Sequence, residues 1–427
     1  MAAAAALFTS GSFFLNQITR KSRSEIVIDI SNTNSKCLPC FTTADQIEGT
    51  VTITPDHDIS FDEVRISFQG SSKASVESES PIRTVRSTQH TFLSLHQPIE
   101  ETAYPKARVF KSGHVYRFPF IFVIPEYLLP QACSHTKDSL HVENAHLSLP
   151  STIGDSIVGA DGKRLDDMCP DTCQIAYYIR ASIMGRSLAH NASTTVLSSV
   201  TTKIRIMPAV DEEPPWEDPW IRKEQDVRKG LMRGKLGRLQ VAASQSKPLQ
   251  LSLESDTNMS TMATVHLRFD PVENEQPPRL DTLQIKLKAS TYFAVVPWNG
   301  FPTDHNTLIT GSLGRGVYTE TVPISSPCIS SVKWAKYSSA TSICRETLPT
   351  STGSITTPYY TASIVVPITI PKGKAFLPTF HSCLISRVYF LDFNISYQTP
   401  NANILTPSTS LRVPIQIACQ RQMDKAY

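Results

Sequence analysis

Residues 116–125 read YRFPFIFVIP, and their alternation decides the fold class. Tyr116, Phe118, Phe120, Phe122 and Ile124 share one face of an extended chain, because successive side chains of a strand point to opposite sides. Pro119 and Pro125 have no amide hydrogen to give a neighbouring strand, which places this one at a sheet edge.

The same period of two recurs in both directions. Ile47, Gly49, Val51 and Ile53 of IEGTVTI, Val64, Ile66 and Phe68 of VRISF, and the Ile175–Ile183 stretch IAYYIRASI precede and follow it. In the second half VHLRF (265–269), LQIKLKA (283–289), IVVPITI (364–370), YFLDFNISY (389–397) and LRVPIQI (411–417) alternate likewise. Many short strands separated by Pro, Ser, Thr and Asn, with no regular exchange of strand and helix, predict antiparallel sheets that bury one face each. The fold class expected is all-β, two immunoglobulin-like antiparallel β-sandwich domains in tandem. The 30 prolines suit turns and blunted edges in such a chain.

A length of 427 residues suits two domains of roughly 180–200 residues each. The stretch PAVDEEPPWEDPW, with Pro208, Pro214, Pro215 and Pro219, breaks the strand pattern and forbids helix where the prolines stand. The expected layout is a tail over 1–23, a sandwich over 24–207, a Pro-rich and basic linker over 208–235, a second sandwich over 236–420 and a tail over 421–427. Trp220, Glu224, Val227 and Leu231 recur at helical spacing, so the linker is expected to carry a short amphipathic helix. Ser71–Arg86 and Tyr337–Tyr360 read as Ser/Thr-rich loops, the latter open to regulation by phosphorylation.

Forty per cent hydrophobic and 19% charged residues are an ordinary globular balance, and a net charge of +3 is too weak to imply nucleic-acid binding. Nine cysteines, an odd number spread along the chain, argue against a disulfide framework and for a reducing, cytoplasmic compartment. The sequons at Asn191, Asn258 and Asn394 are then chance matches. At the N-terminus the positive charges of Arg20, Lys21 and Arg23 follow the apolar run, the reverse of a secretory signal; a mitochondrial presequence or a weak membrane-surface anchor is the alternative.

Catalytic constellations are not found: there is no GxSxG elbow, no HExxH and no supported carboxylate pair, so the chain is read as no enzyme and as needing no cofactor. GLMRGKLGR, with Gly230, Gly234 and Lys235, has too few residues between its glycines and Leu236 after its lysine to be a phosphate loop. Cys37 and Cys40 (CLPC) and Cys169 and Cys173 (CPDTC) lie far apart and read as loop cysteines. Cys133, His135, His141 and His146 have no spacing that puts them on one face, and read as a solvated loop with no metal role.

The strongest functional signal is charge. Arg222, Lys223, Arg228, Lys229, Arg233, Lys235 and Arg238 form a candidate site for anionic lipid headgroups, a phosphorylated tail or an acidic client. The bland alternative is a solvated face, or a partner for the acidic Asp211, Glu212 and Glu213. Nucleic acid is disfavoured because no aromatic residues interleave with the cations beyond Trp220.

The order of these segments resembles the arrestin-like family, in particular fungal arrestin-related trafficking adaptors. HTFLSLHQPIEETAYPKARVFKSGHVYRFPFIFVIPEYLLPQACSH (90–135), HLSLPSTIGD (146–155), DMCPDTCQIAYYIRASIM (167–184) and IEGTVTI with FDEVRISFQG look like its N-terminal domain. LGRLQVAASQSKPLQL, LPTFHSCLISRVYFLDFNISY and LRVPIQI look like its C-terminal domain, and the resemblance runs over about residues 24–419. It implies a scaffold that binds the cytosolic tails of membrane proteins and links them to trafficking or ubiquitin-dependent endocytosis, peripheral at the plasma membrane or endosomes. Family members recruit ubiquitin ligase machinery through PPxY motifs; here PPWE ends in Glu217, and TPYY at Pro358 lacks the preceding Pro or Leu. No family charge network is transferable to individual residues of this chain.

Overall fold

The computed structural model describes residues 25–31, 39–77, 84–155, 157–158, 164–186, 194–209, 220–229, 234–251, 260–273, 275–304, 314–341, 355–371, 373–399 and 406–419. The first sandwich sets a three-stranded sheet, in the order Glu25–Ile30, Gln46–Thr54, Tyr116–Val123, over a five-stranded one. That second sheet runs Cys40–Phe41, Thr194–Ile206, Cys173–Arg186, Glu63–Glu77, Val85–Gln97. Phe118, Phe120, Phe122 and Ile124 are buried while Arg117, Pro119, Ile121 and Val123 face outward, as their alternation requires. The strand carrying Pro119 lies at the sheet edge. Facing them across the core are Phe68 and Tyr177; Phe68 meets Phe122 at 6.0 Å between ring centroids.

The second sandwich pairs Trp220–Arg228, Lys235–Ser244, Ser260–Pro271, Ile355–Thr369 and Ala335–Thr341 in one sheet. In the other, Arg315–Ser325, Arg279–Ala294 and Ile385–Gln398 are neighbours, and Phe380–His381 and Ser408–Ile415 both pair with Ile385–Gln398. Its core is the set read from alternation, among them Val265, Leu267, Phe269, Leu287, Leu391, Phe393 and Val413. Gly237 is required where it stands. A Cβ there would lie 2.4 Å from Phe269 Cζ and 2.6 Å from the Asp270 carbonyl oxygen, so the ring crosses the neighbouring strand over bare backbone.

Three local expectations are corrected. Trp220–Arg228 is a strand, antiparallel to Lys235–Ser244 in the register Asp226↔Arg238, and not a helix. Val227 is buried and Ile221 half-buried on its inner side, so a two-residue period won over the helical one, and Leu231 lies outside the described residues. The Ser/Thr-rich stretches are strand at both ends: Ser71–Glu77 pairs with Val85–Thr91, and Tyr337–Thr341 with Ile355–Tyr359. Serine and threonine serve on half-solvated sheet faces, where cross-strand contacts such as that of Ser75 Oγ with Ser87 Oγ (3.1 Å) replace water. Residues 78–83 and 342–354 lie outside the described residues.

The two sandwiches share one continuous apolar boundary. Phe293, Leu377, Phe380, Leu384 and Ile385 of the second pack into the core of the first, while Met168 and Met207 join the core of the second. Among the described residues there is one α-helix, Leu140–Leu147, N-capped by Ser139 (Val142 N to Ser139 Oγ, 3.3 Å), and it stands at this boundary. No helix among the described residues is long and apolar enough to cross a membrane.

Candidate functional site

The basic run does not form one cationic face. On the Trp220–Arg228 strand, Arg222, Glu224, Asp226 and Arg228 point the same way, so two acids sit between two bases. Lys235 pairs with Asp226 (2.7 Å), and the ammonium holds that carboxyl below its usual range. Arg238 meets Glu224 at 3.3 Å and Asp226 at 3.8 Å, and Lys229 pairs with Glu275. Arg222, Lys223 and Arg228 are exposed, and Arg233 lies outside the described residues. Lys223 donates to Ser410 Oγ (3.3 Å) at the mouth of a cleft of about 540 Å³ between the two sheets of the second domain. Arg222, Lys286 and Arg412 also line this cleft; Arg412 is bound to Asp392 (2.7 and 3.1 Å). Among the described residues of the run, Arg222, Lys223 and Arg228 form a short outward cationic edge.

A second concentration of polar groups sits at the domain junction. Arg387 is fully buried, and its Nη2 donates to the carbonyl oxygens of Asp167 and Met168, each at 2.9 Å. Met168 adopts a left-handed backbone (φ 56°), fixed by its amide donating to Asp166 Oδ1 (2.8 Å). That turn aims two successive carbonyls at one guanidinium. Beside it Lys374 of the second domain bridges Asp166 of the first (2.6 Å) and Glu320 of its own (2.5 Å). Burial pushes the Asp167 carboxyl up, whereas its hydrogen bond with Lys374 draws the Asp166 carboxyl down.

The expectation of solvated loop histidines at 133–146 is corrected as well. Cys133 ends a short 3₁₀ turn, Pro130–Cys133, and is buried; His146 is buried on the Leu140–Leu147 helix, and His135 is half-buried between them. Only His141 of the four is exposed, edge-on to Phe301 at 5.2 Å. The covering comes from the second domain, which brings Cys383 to the same point. One donor atom from each of Cys133, His135, His146 and Cys383 lies within 4.8 Å of every other. Cys133 Sγ is 3.2 Å from His135 Nε2 and 3.7 Å from His146 Nδ1. Burial, with His135 and Lys137 adding to it, lowers His146 to about 4. Burial and the neighbouring Cys133 push the Cys383 thiol up to about 12. Cys-x-His at 133–135 was the one local signal; its second thiol belongs to the other domain.

The remaining thiols are scattered. Cys169 Sγ lies 3.5 Å from Cys173 Sγ in the CPDTC turn, Cys40 is exposed on its strand, and Cys37 lies outside the described residues. Gly230 of the rejected phosphate-loop match also lies outside them.

Residues 28–206 match the family model of the arrestin (or S-antigen) N-terminal domain. No curated protein matches the chain. Over residues 28–206 the chain is similar to an arrestin N-terminal domain, and its all-β, two-sandwich architecture is consistent with that of arrestins.

Proposed function

We propose that this arrestin-like chain is a non-catalytic scaffold that engages cytosolic parts of membrane proteins and links them to trafficking or ubiquitin-dependent endocytosis. The observation that carries the reading is the arrestin N-terminal domain at 28–206, held against a second sandwich through a shared apolar boundary. A scaffold of this kind presents its loops and sheet edges in a fixed relation, and a long peptide tail can be read along them. Ligase recruitment would be indirect or use another segment. Pro358–Tyr360 of TPYY are built into the Ile355–Thr369 strand, with Tyr360 buried and Tyr359 stacked on Tyr337 at 5.6 Å, which denies a WW domain its polyproline-type ligand. PPWE lies outside the described residues. Proximity labelling with the intact chain in living cells should enrich membrane proteins together with coat or ligase components. Enrichment of none of these over a diffuse control would end the adaptor reading.

A second reading, compatible with the first, has the protein resting on an anionic membrane through Arg222, Lys223 and Arg228. Their common exposure at the edge of the second domain supports it. Each cation near such a surface contributes about 1 kcal/mol, so replacing all three by Ala should weaken binding to phosphatidylserine or phosphoinositide vesicles roughly a hundredfold. Binding should also fall with added salt. Unchanged sedimentation of the triple variant with vesicles would remove the lipid role.

A further inference from the structure

Cys133, His135, His146 and Cys383 are the one group of three or more metal-type donors that converge among the described residues. Zinc bonds of about 2.3 Å to sulfur and about 2.0–2.1 Å to nitrogen, at tetrahedral angles, set ligand atoms roughly 3.3–3.8 Å apart. The two sulfur–nitrogen separations from Cys133, 3.2 and 3.7 Å, lie at or beside that range, and no two donor atoms of the group are more than 4.8 Å apart.

The surroundings are arranged as a metal site's would be. His135 donates from Nδ1 to the Thr136 carbonyl oxygen (3.0 Å), which fixes the tautomer and leaves the Nε2 lone pair facing Cys133. His146 is almost wholly buried, with its Nδ1 facing Cys133 Sγ at 3.7 Å. Lys137 ties the Cys133 backbone by donating to its carbonyl oxygen (2.7 Å) and to Glu143 (3.1 Å). On the other side the Trp298 amide donates to the Cys383 carbonyl oxygen (2.9 Å), and Ser382 closes the turn onto Ile385. Two adjacent buried thiols and two imidazoles, all held by backbone contacts, make poor mutual partners: a thiol is a weak donor and a weak acceptor. As a set of two thiolates and two neutral imidazoles they match a closed structural zinc centre, with no position left for substrate.

We propose that these four side chains bind one zinc ion, which staples the first sandwich to the second. Three ligands come from the segment around the Leu140–Leu147 helix and the fourth from the loop before Ile385–Gln398, so the ion is held only when the domains are docked. Two thiol protons leave on binding, and no oxidation or reduction is involved.

The full chain, purified without a polyhistidine tag or chelator and under reducing conditions, should carry about one zinc per molecule by elemental analysis. Cobalt substituted for it should give the sulfur-to-metal charge-transfer and intense visible bands of a tetrahedral site. The Cys133→Ser/Cys383→Ser variant should retain less than about a tenth of the metal, whereas Cys328→Ser, an exposed thiol elsewhere, should keep it all. Should the double variant fail to fold, the cobalt spectrum of the unaltered chain still decides. The inference is overturned if the unaltered chain takes up neither ion on reconstitution, or if the folded double variant keeps its zinc. It is overturned equally if intact-mass analysis finds a Cys133–Cys383 disulfide in a metal-free protein. None of these outcomes depends on the scaffold reading.

Discussion

Replacing Arg387 by Met tests how the two sandwiches are held together. The residue is fully buried, and its guanidinium supplies two hydrogen bonds of 2.9 Å to carbonyls on the other domain. Hydrogen bonds from a charged donor are worth about 1.5–3 kcal/mol each, so the pair accounts for about 3–6 kcal/mol. Against this stands the desolvation of a charge whose Nε and Nη1 have no hydrogen-bond partner among the described residues. Methionine relieves that penalty and fills part of the space, but it leaves the carbonyls of Asp167 and Met168 buried and unpaired. The net expected is a loss of about 3 kcal/mol, at the low end of what breaking a buried charged contact costs. With a urea dependence of about 3 kcal/mol per molar for a domain of this size, the midpoint followed by far-UV circular dichroism should fall by about 1 M. Arg387→Lys, which keeps the charge but not the planar fork, should fall between the two. A Met variant that unfolds at or above the wild-type midpoint would refute the reasoning, since the guanidinium would then be a net burden on an apolar junction.

Two further outcomes can be checked on the same purified protein. Gly237→Ala should cost about 1–3 kcal/mol, because the added methyl meets the Phe269 ring and an immovable backbone oxygen; an unchanged melting temperature would contradict the packing described. Asp166 has a folded-state pKa drawn below 3.8 by Lys374, so its contribution is present above the unfolded value and is lost as pH falls through the folded one. Lys374→Met should therefore flatten the acid limb of the stability curve below about pH 4 and leave its shape near neutrality; thermal melts across that range with an unaltered acid limb would sink the assignment.

How far the chain could be read depended on how far each cause lies along it. The burial of Phe118, Phe120 and Phe122, the edge position of Pro119 and the core of the second domain follow from neighbours two residues apart. Trp220–Arg228 was misleading because Trp220, Glu224, Val227 and Leu231 recur at helical spacing, and only pairing with Lys235–Ser244 put Val227 inward and Trp220 and Glu224 outward. The basic run was legible as composition. Its neutralisation by Asp226, Glu224 and Glu275 was not, since Glu275 arrives from the connection after Ser260–Pro271 and strand geometry decides which charges share a face.

By itself, then, the sequence determined the all-β sandwich class, because alternation is a property of each strand separately and survives whatever the strands later pack against. Only the tertiary structure decided the junction. Cys383 reaches Cys133 and His146, and Arg387 reaches Asp167, through the docking of two domains whose surfaces carry no shared local pattern. Such contacts join residues far apart in the chain. They are set by the sum of apolar burial over a whole interface, to which no single motif corresponds.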